Sequence, residues 1–103
     1  MGNYGFGSVT HGTPQAGTVS GTVLAANADR KWLLVQNVSD TDIYISLGTA
    51  AAVTAKGILL KALAGGVIHG QIEQAKGLGN VWTGPITAIS SAAAKSLLIT
   101  EGY

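Results

Sequence analysis

The stretch "QNVSDTDIYISLG", from Gln36 to Gly48, carries the clearest strand pattern in the chain. Its second half alternates, because Ile43, Ile45 and Leu47 point to one side and more polar residues point to the other. Such alternation is typical of a half-buried antiparallel strand. The preceding segment "KWLLVQNV" (31–38) is apolar on both faces in its middle, which is typical of a strand covered on both faces.

Between these two segments lies a polar loop that has three possible interpretations. Asn37-Val38-Ser39 fits the acceptor pattern for N-linked sugar, but the segment "MGNYGFGSV" lacks the charge and apolar pattern of a signal peptide. Asp40 and Asp42 could help to bind a cation, but calcium takes about six or more oxygens and the loop offers about half of them. Asn, Ser and Asp side chains bond their own nearby backbone in tight turns. We therefore predict a β-hairpin whose turn is made by Asn37, Ser39 and Asp40.

The remaining sequence indicates further strands separated by turn residues, and no helix. A double-glycine turn is predicted at residues 64–66. Several short strands at regular spacing are typical of a β-sandwich or jelly roll. We predict an all-β fold, a small antiparallel β-sandwich or jelly roll, as a single domain over residues 18–103. Its strands are expected at 18–25, 31–38, 42–48, 57–63, 67–73, 81–90 (one strand or two) and 96–102.

The first 17 residues, "MGNYGFGSVTHGTPQAG", differ from the rest of the chain. They include five glycines and one proline, carry no charged residue and show no helix or strand period. We predict a flexible Gly-rich N-terminal arm over residues 1–17. Its larger apolar side chains, Tyr4, Phe6 and Val9, are candidates for docking on a partner surface, and a disordered tail is the alternative.

The composition favours contacts between protein surfaces over binding of nucleic acid or membranes. Of the 103 residues, 47% are hydrophobic and only 11% are charged, with a net charge of +1. A charged fraction of about 25% is usual, so we expect apolar area to be buried between subunits as well as inside one. Six scattered Lys and Arg residues do not form the basic face that nucleic acid requires. No apolar stretch is long enough to cross a bilayer.

The sequence contains no motif that carries chemistry. There is no cysteine, and His11 and His69 are far apart and outside any metal-binding spacing. Nucleophile-elbow, phosphate-loop and dinucleotide patterns are absent from the sequence. We therefore predict no catalytic activity, no cofactor and no metal, with a small hydrolase built around His69 as a weaker alternative.

Two positions outside the arm are further candidates for partner binding. Trp32 lies on a predicted strand, where it either packs against protein or, like Trp82, offers a face on which a sugar can stack. Arg30 stands just before the same strand, where it is either solvated or in contact with an acidic partner surface.

A resemblance connects these features. The segment "NADRKWLLVQNVSDTDIYISLGTAAA" (27–52) resembles one that recurs in small virion proteins of tailed bacteriophages. The later segments "GILLKALAGG" (57–66) and "AISSAAAKSLLITEG" (88–102) are similar to the same group. The likeness covers about residues 27–103 and consists of strands and turns, with no catalytic signature.

The resemblance implies a β-sandwich, often trimeric, from a group that includes capsid decoration (cement) proteins, head fibres, and tail or baseplate accessory domains. We expect a virion structural protein, made in the host cytoplasm and placed on the capsid surface. There it would act as a homotrimer that binds the major capsid protein of the head. The alternative is a tail-fibre, spike or baseplate module that binds host glycans.

Overall fold

A computed structural model describes residues 7–48, 51–53, 56–76 and 79–103. These residues form nine β-strands and no α-helix. The strands are β1 (Val9–Gly12), β2 (Gln15–Ala16), β3 (Gly21–Leu24), β4 (Trp32–Asn37), β5 (Ile43–Leu47), β6 (Ile58–Leu60), β7 (Gln71–Ala75), β8 (Ile86–Ser90) and β9 (Lys95–Gly102).

The strands form two antiparallel sheets. The β9 sheet has the order β1-β9-β4-β7, with β2 continuing beside β9 after β1, and the β8 sheet has the order β3-β8-β5-β6. With β1 and β2 counted as two halves of one strand, the eight strands are distributed over the two sheets in the order of a jelly roll, with β5 and β6 as the one consecutive pair in the same sheet. The predicted all-β sandwich is confirmed, and the strand order identifies it as a jelly roll.

The core lies between the two sheets. Leu33 and Val35 from β4 face Ile43 and Ile45 from β5, and all four are fully buried. The alternation that predicted β5 is therefore confirmed. The other buried apolar members of this cluster are Ala16, Leu60, Ile86, Ala88, Leu97 and Ile99.

The predicted hairpin between β4 and β5 is wrong, because the two strands belong to different sheets. β4 pairs with β7 and β9, whereas β5 pairs with β6 and β8. The polar loop between them is a turn, as predicted, but it carries the chain across the core from one sheet to the other. An alternating pattern indicates which side of a strand is buried. It does not indicate the sheet, because strands of both sheets of a sandwich bury one side in the same core.

Asn37 holds this crossing together. Its side chain is buried, and its Nδ2 donates to the carbonyl oxygens of Thr41 at 2.8 Å and Leu60 at 2.9 Å. Its Oδ1 accepts from the backbone N–H of Ser39 at 2.9 Å and from the Ser39 hydroxyl at 2.7 Å. The amide thus satisfies backbone groups of the loop and ties the end of β4 to the end of β6.

The predicted arm is wrong for residues 9–16, which contain β1 and β2. Val9 pairs with Gly102 and Gln15 with Ser96, so these strands hydrogen-bond along one edge of β9. Without them β9 would present a row of unpaired backbone groups. Pairing through backbone hydrogen bonds does not require apolar and polar side chains to alternate, so the sequence pattern did not reveal these strands. The domain therefore begins before residue 18. The arm prediction for residues 1–6 lies outside the described residues.

Glycines fix two other connections. Gly65 and Gly66 have φ of 60° and 74° in the turn that joins Ala64 to Val67, which confirms the predicted double-glycine turn. Gly70 precedes β7, which begins at Gln71 and not at the predicted residue 67. A Cβ on Gly70 would lie 2.3 Å from the backbone nitrogen of Lys61, so only glycine fits where these two segments cross.

Candidate functional site

Arg30 is a structural residue in this fold and not the partner contact that the sequence predicted. It is 2% exposed, and its Nε donates to Glu101 Oε2 at 2.7 Å. Its two terminal nitrogens donate to the carbonyl oxygens of Ala25 (2.7 Å), Trp82 (2.8 Å) and Gly84 (3.1 Å). The fixed guanidinium fork therefore joins the ends of β3 and β9 to the segment before β8, and no face of it is presented to a partner. Its position before a strand gave no sign of this burial.

Trp32 and Val9, two of the predicted partner-binding residues, lie on the same outward face. Both are paired with Gly102 of β9, Val9 from one side and Trp32 from the other. Their backbones are therefore about 10 Å apart, which is two strand spacings, and the residue between them has no side chain. Val9 is 44% exposed and Trp32 is half-buried.

We call this outward side of the β9 sheet the Trp32 face. The strand register places Trp32, Leu34 and Leu98 on the central strands β4 and β9, together with polar Gln36 and Thr100, and mainly polar side chains on the edge strands. An apolar centre with a polar rim is the usual anatomy of a protein interface. The face consists of Val9, His11, Trp32, Leu34, Gln36, Gln71, Glu73, Ala75, Leu98 and Thr100.

Hydrogen bonds fix several side chains of the Trp32 face. Trp32 Nε1 donates to Glu73 Oε2 at 2.7 Å, so the indole and the carboxylate orient one another across β4 and β7. Gln36 Nε2 donates to Gln71 Oε1 at 3.0 Å in the same pair of strands. These contacts reduce the rotamer freedom of the face before any partner binds.

The prediction that β4 is covered on both faces is met on only one side by the described part of the chain. Leu33 and Val35 are buried between the sheets, whereas Trp32, Leu34 and Gln36 on the other side are half-buried. The two-sided apolar pattern of β4 therefore points to a surface that a partner can cover.

Trp82 does not offer a stacking platform. It packs against the core cluster, and its Nε1 donates to the carbonyl oxygen of Pro85 at 2.9 Å. A Cβ on Gly84 would lie 2.4 Å from the Trp82 ring, so this glycine leaves room for the indole. Trp32 stands beside the polar side chain of Glu73, as a sugar site would require, but the described residues form no pocket there.

A second apolar surface, which sequence reasoning missed, lies on the outward side of the β8 sheet. Tyr44 is paired with Ile89 on one side and with Leu59 on the other. Leu59 is 42% exposed, and the other two side chains are half-buried. We call these three residues the Tyr44 row. The sequence marked all three as strand residues, but only the register shows that they are neighbours.

The two carboxylates of the crossing loop are each matched by a separate lysine. Lys95 Nζ lies 2.7 Å from Asp40 Oδ1, and this hydrogen bond holds the pKa of the Asp40 carboxyl below its usual value. The pKa of Asp42 is lowered first by the backbone N–H of Ala62, which donates at 2.8 Å, and then by Lys61 at 3.1 Å. Within the described ranges no three His, Cys, Asp or Glu side chains form a group that could hold a metal ion.

The histidines do not gather into a site. His11 lies on β1, and its Nδ1 is 2.8 Å from the Thr100 hydroxyl, while His69 is exposed before β7. The part of the chain that the structure describes forms no pocket, and it includes no helix that could cross a membrane. The candidate residues Tyr4 and Phe6 lie outside the described residues.

Comparison with known proteins identifies no related protein. No protein-family model, no curated protein and no solved structure matches the chain. The resemblance to phage virion proteins therefore stays a prediction.

Proposed function

We propose that the protein is a structural component of a bacteriophage virion, a capsid decoration protein that binds the outer shell of the head as a homotrimer. The Trp32 face carries this proposal. It is a broad outward surface with Trp32, Leu34 and Leu98 near its middle and hydrogen-bonded polar residues around them. The sequence resemblance supports the assignment to a virion.

The shape of this face favours a protein partner over a small molecule. Small-molecule sites are concave and bury most of their ligand, whereas the described residues form no pocket. An open sheet face whose side chains are already ordered fits another protein surface, and burial of its apolar side chains supplies the driving force.

The proposed oligomer explains how such a contact holds a decoration protein in place. One sheet face of this size makes a modest contact, but three faces on one trimer raise the effective affinity without any new interaction. A trimer seated over junctions between shell subunits would oppose outward movement of those subunits when DNA is packaged.

Binding to capsids tests the proposal. Purified protein is mixed with empty capsids of the phage that encodes the chain, and bound protein is measured after sedimentation. Leu34→Lys, which places a charge in the middle of the Trp32 face, is expected to abolish binding. Val67→Lys is the matched control, because Val67 is 56% exposed and lies in the turn at residues 64–67. Equal binding of both variants would contradict the use of the Trp32 face.

The role of the N-terminal residues needs a shorter deletion than the predicted arm suggests. Removal of residues 1–16 would delete β1 and β2 and expose an edge of β9. Deletion of residues 1–6 removes Tyr4 and Phe6 and leaves both strands in place. We expect weaker capsid binding by this variant, and undiminished binding would show that these residues make no contact with the shell.

A second candidate function is glycan binding by a tail-fibre or spike module. One observation favours it: Trp32 lies beside the exposed Glu73, an aromatic ring next to a carboxylate that could bond sugar hydroxyls. Titration of host surface glycans, followed by tryptophan fluorescence, would test it. A saturable change that Trp32→Ala removes would favour this function over capsid binding.

A further inference from the structure

We propose that the Tyr44 row is the surface through which copies of this chain meet. The Trp32 face and the Tyr44 row lie on the outward sides of different sheets, and the two surfaces differ in charge. The inference extends the proposed function, because it assigns the self-contact of the oligomer to the β8 sheet and leaves the β9 sheet for the shell.

Charge decides between the two surfaces. None of the four strands of the β8 sheet contains a charged residue. Near a rotation axis each residue approaches its own copies, so a charged side chain there would meet the same charge. The Trp32 face carries the exposed Glu73, and repetition of that carboxylate at an axis is unfavourable. A sheet whose own strands carry no charge suits a second copy of the same chain.

The geometry of the Tyr44 row fits a contact between copies. Ile89, Tyr44 and Leu59 lie on three adjacent strands, so the row is about 10 Å long between its end backbones. Tyr44 is in the middle, and tyrosine is enriched in interface centres because its ring buries apolar area while its hydroxyl finds a partner.

The groups on either side of the row are neutral or paired. The next row on one side carries only hydroxyl side chains, those of Thr22, Thr87 and Ser46. On the other side Lys61 and Asp42 form an ion pair at 3.1 Å. A partner copy would therefore meet an apolar stripe bordered by hydroxyl groups and one neutralised pair.

The accessible area and the low charge content of the chain agree with a self-contact. The accessible area is 5394 Å², close to the roughly 5,400 Å² expected of a compact monomer of this mass. One chain therefore folds as tightly as is usual, yet only 11% of its residues are charged and Arg30 among them is buried. The shortage of charge lies on the surface, as expected where part of that surface is covered by another copy.

Sedimentation velocity of the intact protein in solution tests the inference without any capsid. The wild type is expected to sediment as an oligomer. Leu59→Lys changes a side chain that is 42% exposed on a three-residue edge strand, so a lysine there can reach water in the monomer. We expect this variant to stay folded, with one cooperative urea transition, and its dissociation constant to rise by about 100-fold or more, because a charge is buried in the contact.

Two variants elsewhere show whether the effect belongs to the Tyr44 row. Val67→Lys and Leu34→Lys add the same charge outside the row, and both are expected to remain oligomeric. A monomeric wild type, an oligomeric Leu59→Lys, or dissociation by Leu34→Lys would each overturn the inference.

Leu59→Glu replaces Leu59→Lys if the lysine variant does not fold, and opposite charges give a second, independent readout when both variants fold. Leu59→Glu is expected to be monomeric alone. At low ionic strength, an equal mixture of Leu59→Lys and Leu59→Glu is expected to assemble at concentrations where neither variant does, because the opposite charges approach one another. A mixture that stays monomeric would overturn the contact between equivalent rows.

This design separates failure of the inference from failure of the proposed function. If Leu59→Lys dissociates the oligomer but the wild type binds no capsid, the self-contact holds and the decoration role is wrong. If the wild type binds capsids as a monomer, the decoration role holds and the self-contact is wrong.

Discussion

Replacement of Arg30 by methionine is the most severe test of how the fold is held together. Arg30 is buried and makes four hydrogen bonds, one to Glu101 and three to backbone carbonyl oxygens. Methionine keeps much of the side-chain volume but supplies no donor. The Glu101 carboxylate, whose side chain is only 15% exposed, would be left without its main partner.

The expected loss of stability follows from these contacts. Removal of one partner of a buried ion pair costs about 3–5 kcal/mol, and the abandoned carbonyl oxygens add to it, for a total of about 5 kcal/mol. A domain of this size is stable by about 5–15 kcal/mol. Arg30→Met is therefore expected to consume a third or more of the folding free energy.

Urea unfolding, followed by tryptophan fluorescence, measures this loss. Lys56→Met is the control, because Lys56 is exposed, and we expect it to change stability by less than about 0.5 kcal/mol. In the double variant Arg30→Met with Glu101→Gln, the unpaired negative charge of Glu101 is removed as well. It should therefore be less destabilised than the sum of the single variants by about 2 kcal/mol. A loss below about 1.5 kcal/mol for Arg30→Met, or strict additivity, would refute the assignment of Arg30 as the central buried ion.

Three further predictions concern the connections between strands. Asn37→Ala removes the buried amide of the crossing loop and should cost about 2–3 kcal/mol in urea unfolding, whereas Gln36→Ala on the outward face should cost under about 1 kcal/mol. Gly70→Ala forces a Cβ into the Lys61 backbone and should cost about 3 kcal/mol or prevent folding. Gly12→Ala, which meets nothing closer than 3.9 Å, should be nearly neutral, and similar melting temperatures for the two glycine variants would contradict the close approach. The folded-state pKa of Asp42 lies below its ordinary value of 3.8, so its contribution to stability is present above that value and is lost as pH falls through the folded pKa. The urea midpoint should therefore drop below about pH 4, and Asp42→Asn should make that drop smaller.

The local sequence patterns predicted where strands lie better than they predicted which strands pair with one another. The alternation in β5 and the apolar middle of β4 follow from which side of each strand is buried, and both are visible in the sequence. The pairing of strands depends on the path of the loop between them. The Asn37 loop looks like a hairpin turn because its side chains bond nearby backbone in the same way whether the chain returns to one sheet or crosses to the other.

Two other misses share a physical cause, namely bonds whose partners lie far away in the sequence. β1 and β2 are rich in small and polar residues and are strands because β9 offers them a free edge, about 90 residues along the chain. Arg30 is buried because Glu101 and the carbonyl oxygens before β8 converge on it. In the candidate site, Trp32 was predicted to bind a partner because a tryptophan on a strand is a candidate by its residue type alone. The Tyr44 row could be recognised only from the register of three paired strands.

The arrangement of the two apolar surfaces has a consequence for assembly. They lie on the outward sides of different sheets in a molecule whose dimensions are 39 × 32 × 20 Å. A single flat partner cannot cover both sides of a sandwich at once, so two separate contacts are required if both are covered. A decoration oligomer on a shell has two such contacts, one with its own copies and one with the capsid. A protein with only one of them would leave an apolar sheet face in water, and natural monomers rarely expose contiguous apolar patches of more than a few hundred Å². The independent loss of assembly in Leu59→Lys and of capsid binding in Leu34→Lys is therefore the result that would distinguish two interfaces from one.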